Sequence, residues 1–425
     1  MRPQFVRATL PVEPLAQAPT LGLKQNWQQF SLLMLVNAFV GAMVGLERAV
    51  LPLWAARDFG LASNRAILSF IVAFGIVKAV TNLVAGRQSE KVGRKSLLVA
   101  GWIAGLPIPF MLLWAPSWAW VTTANMLLGV NQGLCWSTTV VMKIDLVGPR
   151  RRGLAMGLNE FAGYGAVALA TWIGAIAADV YGFRASLFVL GLAFSVMGLL
   201  LSVLFVHDTT RFAEGEARLR TGVPGVGTSF KRVFVETSVT DRSLSACSQA
   251  GLVNNLNDGL AWGLFPLLFA SGGLTVGNIG LLAGLYPAVW SVSQIGTGAL
   301  SDRWGRKWPI AGGMWIQAIG IWLVASGSKV TQPYVMWLTG TVLLGVGTAL
   351  VYPALLAAIG DRADPRWRAS AVGVYRFWRD MGYAVGAVLS GVLADWLGVG
   401  GAIAAIGFLT FASGVVVAIR MIGGR

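Results

Sequence analysis

Long apolar runs alternate with short polar segments along the whole 425-residue chain. A bilayer core about 30 Å thick is crossed by about 20 helical residues, and backbone in contact with lipid must form its hydrogen bonds internally. The runs therefore predict twelve transmembrane helices. The first six lie at residues 30–56, 65–85, 96–115, 118–144, 154–178 and 185–206. The second six lie at residues 244–270, 276–300, 309–325, 334–359, 369–396 and 401–421.

The segments around these runs predict the domain organisation. Residues 1–28 contain prolines and charges without a compact apolar core, which indicates a cytosolic tail and not a signal peptide. Two six-helix halves occupy residues 29–206 and 244–421. A charged linker at 207–243, with glycines and a proline, joins the halves, and residues 422–425 form a second cytosolic tail.

Composition and charge agree with a membrane protein. Hydrophobic residues make up 56% of the chain and charged residues 12%, and the mean hydropathy is +0.67, which excludes an ordinary soluble domain. The net charge of +15 does not indicate nucleic-acid binding, because the basic residues lie in loops between apolar runs. By the positive-inside rule, these loops predict a plasma (inner) membrane protein with both termini in the cytosol.

The cysteine and histidine content limits the chemistry. The two cysteines, Cys135 and Cys247, lie inside apolar runs and the chain has one histidine, so we expect no disulfide framework, metal site or cofactor. Motifs of zinc peptidases, serine nucleophiles and phosphate-binding loops are absent from the sequence, so we expect no enzyme activity.

One short charged segment occurs twice. Gly-Arg-Gln-Ser-Glu-Lys-Val-Gly-Arg-Lys at 86–95 returns as Gly-Ala-Leu-Ser-Asp-Arg-Trp-Gly-Arg-Lys at 298–307. Each copy carries two glycines, an acid and an arginine at the same offsets, which are Gly86, Glu90, Gly93 and Arg94 in the first copy and Gly298, Asp302, Gly305 and Arg306 in the second. Arg152 and Arg368 also match, at a constant offset. The chain is therefore predicted to be a duplication with two parallel halves.

These segments resemble the conserved loop Gly-x-Leu-Ala-Asp-Arg-x-Gly-Arg-Lys of the major facilitator superfamily. The second copy matches nearly throughout, whereas the first has Gln88 for leucine and Glu90 for aspartate. The resemblance implies an all-α integral membrane fold of twelve transmembrane helices in two pseudo-symmetric halves, working by alternating access. It also implies that Glu90 and Asp302 latch the cytosolic ends of the halves, with Arg152 and Arg368 as partners.

The residue types of the loop suggest how it is built. We expect Gly86 and Gly93 to turn the backbone and Glu90 to lie at a helix N-terminus, where the macrodipole favours an anion. The alternative is that the loop charges are solvated residues that only set the orientation of the chain.

The duplication fails at several polar positions inside the predicted spans, and these positions predict the site. A charge near the membrane centre costs about 2.5–3.5 kcal/mol, so it should face a cavity or a partner. We predict that the solute is bound by Lys78, Asn255, Asp258, Arg376 and Arg379. We predict that protons are bound by Glu160, Asp258 and Asp380.

Other interpretations of the same positions stay open. Arg376 and Asp380 are spaced to pair on one helix, and Glu160 can pair with Lys78. Glu47 and Arg48 point in different directions near the outer end and predict an outer-side pair, which is a gate, a cap or a contact with the solute. Six aromatic residues are candidates for cavity walls or for packing: Trp136, Tyr164, Tyr286, Tyr352, Tyr375 and Trp378.

The sequence thus predicts a monomeric secondary transporter in the lipid bilayer. It would move a small anionic or zwitterionic organic solute and couple this to protons. Two alternatives are a multidrug efflux antiporter and a non-transporting receptor of the same fold. Departures from the family weigh against a typical multidrug antiporter, because Gly129 replaces an arginine ahead of Gln132 and the fifth helix lacks proline.

Overall fold

A computed structural model describes residues 20–147, 152–212, 229–327, 332–363 and 368–422. Within these ranges the side chains of 86–87, 89–91, 152–154, 299, 302, 360 and 368–370 are not described. The described residues form helices and connecting turns, with no β-strand among them, which confirms the predicted all-α class.

The N-terminal half is a series of helices. They are α1 (Trp27–Arg48), α2 (Val50–Asp58), α3 (Asn64–Ile67), α4 (Ser69–Val92), α5 (Arg94–Gly105), α6 (Pro107–Leu113), α7 (Trp118–Val147), α8 (Arg152–Tyr181) and α9 (Phe183–Leu204). The C-terminal half repeats the pattern. It contains α10 (Phe230–Val235), a π-helix (Glu236–Thr240), α11 (Arg242–Ser271), α12 (Val276–Trp304), α13 (Lys307–Gly327), α14 (Tyr334–Arg362) and α15 (Arg368–Arg420).

The predicted spans fall on helical backbone. Within the described ranges, eight helical stretches are long and apolar enough to cross a membrane, and a shorter apolar helix covers Ser69–Ala85. The two predicted spans in 369–421 are two helices that meet at a kink at Gly398, where φ is 73°, and the label α15 covers both. The predicted spans at 118–144 and 244–270 are α7 and α11, whose many buried polar residues make them less apolar.

Two predicted spans are broken by prolines. Proline lacks an N–H and its ring clashes with the carbonyl four residues earlier. Pro52 stands four residues after Arg48, where α1 ends, and Pro109 stands four residues after Gly105, where α5 ends. The break after α1 therefore lies at Arg48, one of the charged residues that the sequence singles out.

The start of the C-terminal half is fixed by a cap inside the predicted linker. The carboxylate of Asp241 accepts hydrogen bonds from the backbone N–H groups of Ser243 and Leu244, which satisfies two of the free donors at the start of α11. Burial opposes ionisation of this carboxyl, but the bonds from Leu244 N–H and the Arg362 guanidinium hold the pKa of Asp241 below its usual value. Helix α11 therefore begins at Arg242, ahead of the predicted boundary.

The turns of the repeated segment differ from the prediction. Gly86 and Gly298 lie inside α4 and α12, and only Gly93 and Gly305 take positive φ, at 87° and 79°. The expectation that Gly86 helps to turn the backbone is wrong, because helix-forming residues continue α4 to Val92. Glu90 accordingly lies in the last turn of α4 and not at a helix N-terminus.

The two halves meet along two helix pairs, α8 with α12 and α4 with α15. Small residues allow this close approach. A Cβ on Gly284 would lie 2.8 Å from the Ala168 carbonyl oxygen, and a Cβ on Gly75 would lie 2.7 Å from the Ala384 backbone nitrogen. The halves are therefore in direct contact along both seams.

The halves touch closely at one end of the bundle, whereas two positions near the other end have no neighbour among the described residues. Gly157 and Gly373 lie seven residues, or two turns, before Tyr164 and Asp380, and so on the same helix faces. None of the described atoms lies within 4 Å of a Cβ built on either glycine. The open end is the one with the Gly93 and Gly305 turns, which we call the loop end.

Candidate functional site

An ion pair links the two halves in the centre of the bundle. Arg48 of α1 and Asp258 of α11 are both buried, and their side chains form two hydrogen bonds of 2.5 and 2.8 Å. The Tyr383 hydroxyl donates a third bond to Asp258, at 2.6 Å. The Arg48 guanidinium lies 5.2 Å from the centre of the Trp262 ring. Side chains from three helices, α1, α11 and α15, thus meet at the Asp258 carboxylate.

The predicted outer-side pair is not formed between its two members. Arg48 bonds to Asp258 across the halves, whereas the adjacent Glu47 points to Asn125 of α7. Both side chains are buried. Adjacent helical residues project in different directions, so the pair separates into a contact between halves and a contact within one half.

Lys78 of α4 lies in a cage of aromatic rings. Its Nζ is 5.4 Å from the Phe74 ring, 5.7 Å from the Trp136 ring and 5.0 Å from the Tyr383 ring. The side chain is 7% exposed. Among the described residues, no acceptor bonds to this ammonium, and its suggested pairing with Glu160 does not occur. Cation–π attraction to these rings stabilises the ammonium, beside longer-range attraction to the carboxylates of Asp380 and Asp258.

Arg379 and Asp380 of α15 stand next to this cage. Arg379 donates to the Tyr164 hydroxyl at 3.1 Å and lies 4.3 Å from the centre of the Tyr352 ring. Asp380 accepts from Asn82 of α4 and, at 3.4 Å, from Asn255 of α11. Arg379 also approaches Asp380, at 3.4 Å.

The suggested pair on one helix, Arg376 with Asp380, is not formed, since Asp380 is taken up by other groups. Arg376 is partly exposed on the same helix. The structure therefore brings together five of the predicted site residues at the contact between halves, and leaves Arg376 beside them. The five are Lys78, Asn255, Asp258, Arg379 and Asp380.

Glu160 belongs to a separate buried cluster in the N-terminal half. The Asn159 side chain donates to Glu160 at 2.8 Å and accepts from the Lys143 ammonium. The other carboxylate oxygen of Glu160, Oε2, has no hydrogen-bond partner among the described residues. All three side chains are buried. An amide thus separates a buried cation from a buried carboxylate.

Lys143 and Tyr383 are members of these clusters that sequence reasoning missed. Lys143 has Ile359 at the equivalent position of the other half, and Tyr383 has Val167. Both positions break the duplication in the same way as the predicted residues. The signal that indicated Lys78 was therefore also present for Lys143 and Tyr383.

Other polar residues of the spans hold one half together. In the C-terminal half, the side chains of Asn254 and Asn257 bond to Gln317, and Thr410 donates to Asn257. These bonds satisfy buried amides inside the bundle. Trp378, a candidate for the cavity wall, instead donates to Ser238 of the π-helix.

At the loop end, each half contains the same ion pair. Arg94 bonds to Asp145 at 2.9 Å, and Arg306 bonds to Asp361 at 3.0 Å. The predicted latch residues Glu90, Asp302, Arg152 and Arg368 have side chains outside the described part of the structure. Asp208 lies nearby. Burial opposes its ionisation, but hydrogen bonds from Thr210 and the Lys95 N–H hold the pKa of Asp208 below its usual value.

At the opposite end, one carboxylate joins the two halves. Asp395 of α15 accepts from the Ser63 hydroxyl at 3.1 Å, the Asn64 N–H at 2.9 Å and the Arg65 guanidinium at 2.8 Å. These partners belong to the other half. We call this group the Asp395 clasp. The sequence did not indicate it, since Asp395 has an equivalent, Asp179, in the repeat.

Metal chemistry has no support in the described ranges. No group of three His, Cys, Asp or Glu side chains is close enough to hold a metal ion there. Cys135 and Cys247 are free and buried.

Comparison with known proteins identifies the family. The family model described as Major Facilitator Superfamily matches residues 33–241 and 248–422. The chain belongs to the Major Facilitator Superfamily. Members of this superfamily are membrane transporters of small molecules, so the predictions of an integral membrane protein and of no enzyme activity are confirmed.

Relatives of this superfamily member are distant in sequence and similar in length. It is 23% identical over 417 residues to the uncharacterized MFS-type transporter YhhS of Escherichia coli K12, covering 91% of each chain. It is also 23% identical to Multidrug resistance protein 1 of Bacillus subtilis 168, covering 85% of this chain and 89% of that protein.

A solved structure shares the fold. The crystal structure of the human organic anion transporter MFSD10 (TETRAN) superimposes with a TM-score of 0.69 at 15% sequence identity. The match covers 92% of this chain and 99% of the human chain. At this identity the similarity concerns the fold alone, and it confirms the predicted superfamily architecture.

Proposed function

We propose that this superfamily member is a proton-coupled secondary transporter of a small anionic or zwitterionic organic solute. It works by alternating access, as a monomer, in the plasma (inner) membrane. Both termini and the loop end face the cytosol, as the basic loops predict. With this orientation the conformation is inward-facing, because the seams are open at the loop end and the Asp395 clasp closes the other end.

The observation that carries the proposal is the buried ammonium of Lys78. It lies among aromatic rings with no bonded acceptor in the described ranges. Around the contact between halves, the cations Arg48, Lys78 and Arg379 face the carboxylates of Asp258 and Asp380. One positive charge is left without a counterion. A buried charge is stabilised by a partner of opposite sign, and an anionic solute supplies one.

Glu160 is the carboxylate best suited to carry the proton. Asp258 is held by Arg48 and Tyr383, and Asp380 by two amides and Arg379. Glu160 has one buried oxygen, Oε2, without a donor. A proton on that oxygen removes a charge that is otherwise only partly compensated.

Counterflow in proteoliposomes tests the anion site. Purified protein is reconstituted into vesicles, and each batch of vesicles is loaded with one unlabelled organic anion from a panel. Uptake of the same anion in labelled form is then measured. We expect Lys78→Met to reduce exchange of the anion at least tenfold, roughly the effect of one charged contact. The control is Lys24→Met, which removes an exposed lysine outside the site. Undiminished anion exchange by Lys78→Met would refute the proposed role of this ammonium.

Multidrug efflux remains a second candidate because Multidrug resistance protein 1 of Bacillus subtilis is among the relatives. The same vesicles distinguish the two functions. Exchange of lipophilic cations, unaffected by Lys78→Met, would favour efflux. Exchange of organic anions that depends on Lys78 would favour the anion transporter.

A further inference from the structure

The centre of the contact between halves has a wall of aromatic rings that comes from both halves. Trp136 of α7 and Tyr164 of α8 lie 5.1 Å apart, centre to centre. Tyr164 in turn lies 3.6 Å from Trp290 of α12, and Trp290 lies 5.8 Å from Tyr352 of α14. All four side chains are buried. We call these four residues the ring wall.

Polar atoms at the ring wall are left without partners. Arg379 uses its terminal nitrogens for Tyr164 and Asp380, but its Nε has no acceptor among the described residues. The indole nitrogen of Trp290 is likewise without an acceptor. Arg379 is 5% exposed and Trp290 is 0% exposed. Leaving a buried donor unpaired is unfavourable by about 1–3 kcal/mol. Both atoms are donors, and what they lack is an acceptor.

We propose, on the basis of the proposed function, that the transported anion carries a planar aromatic ring. The ring stacks on the ring wall at Tyr164 and Trp290. Its anionic head group accepts hydrogen bonds from Arg379 Nε and the Trp290 indole N–H. Lys78, whose Nζ lies 5.7 Å from the centre of the Trp136 ring, supplies the balancing charge.

The position of the Tyr164–Trp290 contact supports this assignment. Toward the opposite end, Gly284 packs directly on Ala168, one turn from Tyr164. Toward the loop end, Gly157 is open on the same face of α8. The tilted Tyr164–Trp290 pair therefore lies near the loop-end limit of the described contact, which continues one turn further to the bond from the Ser291 hydroxyl to the Phe161 carbonyl.

The chemistry of the wall favours an aromatic solute over an aliphatic one of equal size. Aromatic rings that stack or meet edge to face gain about 0.5–1.5 kcal/mol beyond the burial of their area. A solute ring that enters between Tyr164 and Trp290 separates their side chains. Its own contacts with the two rings replace the contact that they lose. A saturated ring buries similar area without this replacement. Cationic solutes are disfavoured because Arg379 and Lys78 already line the site.

Matched pairs of carboxylates test the inference. Counterflow is measured for benzoate against cyclohexanecarboxylate, and for 3-phenylpropionate against 3-cyclohexylpropionate. Within each pair, charge and size are nearly equal and only aromaticity differs. We expect exchange of the aromatic member to be about three- to tenfold faster at subsaturating concentration. Equal exchange of both members, or faster exchange of the saturated member, would overturn the inference.

Variants of Trp290 locate the preference. Trp290→Leu is expected to slow exchange of both members, because it removes the indole N–H, and to bring the ratio of aromatic to saturated exchange to about one, whereas Trp290→Phe is expected to retain most of that ratio. Trp120→Leu, which removes a tryptophan exposed on the bundle surface, is the control. The melting temperature of each purified variant shows whether it is folded. A folded Trp290→Leu protein with an unchanged preference would also overturn the inference.

The failure of this inference is distinguishable from failure of the proposed function. If saturated carboxylates exchange as well as aromatic ones and both depend on Lys78, the anion transporter stands and the ring subsite is refuted. If no member of either pair exchanges, whereas lipophilic cations do, the proposed function and this inference both fall.

Discussion

At the scale of single residues, the link between Arg48 and Asp258 is the most demanding feature of the molecule. Two charges are buried together, with two mutual hydrogen bonds and a third from Tyr383. Such a pair has little net stabilising effect against an apolar replacement, but removing one partner strands the other charge. The pair is therefore a specific contact between the halves more than a source of stability.

Asp258→Asn is predicted to destabilise the protein by about 3–5 kcal/mol, because it leaves the buried Arg48 guanidinium uncompensated. Thermal unfolding of the purified protein in detergent measures this as a lowered melting temperature. The double variant Arg48→Met with Asp258→Leu removes both charges and should melt well above the single variant. A double variant that melts no higher than Asp258→Asn would contradict this account.

Glu160→Gln is predicted to abolish solute accumulation driven by a pH gradient while exchange at equal pH persists. The amide cannot take up a proton, but it preserves the size of the side chain. Uptake is measured in proteoliposomes with and without an imposed gradient. Lys143 and Asn159 face Glu160 at its own cluster, and Tyr164 and Tyr352 lie near enough to interact electrostatically. Gradient-driven accumulation by Glu160→Gln equal to that of the unmodified protein would remove Glu160 as the proton site.

The sequence predicted most of the charged residues at the centre but not their partners. Lys78, Asp258, Arg379 and Asp380 were all found as breaks in the duplication. The pairing suggested from spacing along one helix, Arg376 with Asp380, is not formed, because Asp380 bonds to Asn82 and Asn255 of other helices. Spacing along a chain gives distances within a helix only, whereas Arg48 and Asp258 are 210 residues apart.

At the scale of helices, glycine determines how closely the halves approach. Gly280 of α12 faces Ala175 and the Thr171 carbonyl of α8, and a Cβ on it would collide with the Ala175 side chain. Small residues at such crossings let membrane helices pack by direct backbone contact. The closed end of the α8–α12 seam depends on this glycine.

Gly280→Leu is predicted to favour the conformation that is open opposite the loop end, because the added side chain keeps α12 away from α8. The readout is labelling of a Ser63→Cys reporter by a membrane-impermeant maleimide, which should become several-fold faster. Gly373→Ala is the matched control, since a Cβ at Gly373 meets none of the described atoms. Unchanged labelling in Gly280→Leu would show that this contact does not hold the end closed.

The sequence predicted where helices exist better than where they stop. The interruptions after Arg48 and Gly105 follow from prolines that the sequence displays, but apolar runs were continuous across both. In the first copy of the repeated segment, the glycine pattern predicts two turning points, Gly86 and Gly93. The structure uses one, because Arg, Gln, Glu and Lys are good helix formers and extend α4 through Gly86.

At the scale of the whole molecule, the two halves form one bundle that is closed at one end. The Asp395 clasp joins the halves there through three side-chain and backbone donors. At the loop end, the described ion pairs Arg94–Asp145 and Arg306–Asp361 each stay within one half. Among the described residues, the charged contacts at the loop end therefore stabilise each half separately, whereas those at the opposite end join the halves.

A disulfide between Ser63→Cys and Asp395→Cys is predicted to lock this conformation and stop transport. The Ser63 hydroxyl lies 3.1 Å from the Asp395 carboxylate, so short side chains at these positions can meet. Solute exchange is measured after oxidation and again after reduction, and each single-cysteine variant serves as a control. The native Cys135 and Cys247 are buried and should not compete. Full exchange by the quantitatively oxidised protein would rule out rocking of the halves at this end.

The sequence by itself determined the class of this protein, its duplication and the family to which it belongs. The length of each apolar run follows from the thickness of the bilayer, and the repeated segments are identified by comparing one part of the sequence with another. Neither signal requires knowledge of the packing. The sequence also indicated which polar residues inside the spans differ between the halves and are therefore candidates for the site. The tertiary structure alone decided which of these meet, since the link of Arg48 with Asp258, the cage of Lys78 and the ring wall join helices distant in sequence. A charged residue inside an apolar run can be recognised from the sequence alone. The partner of that charge is fixed only when helices from both halves pack together.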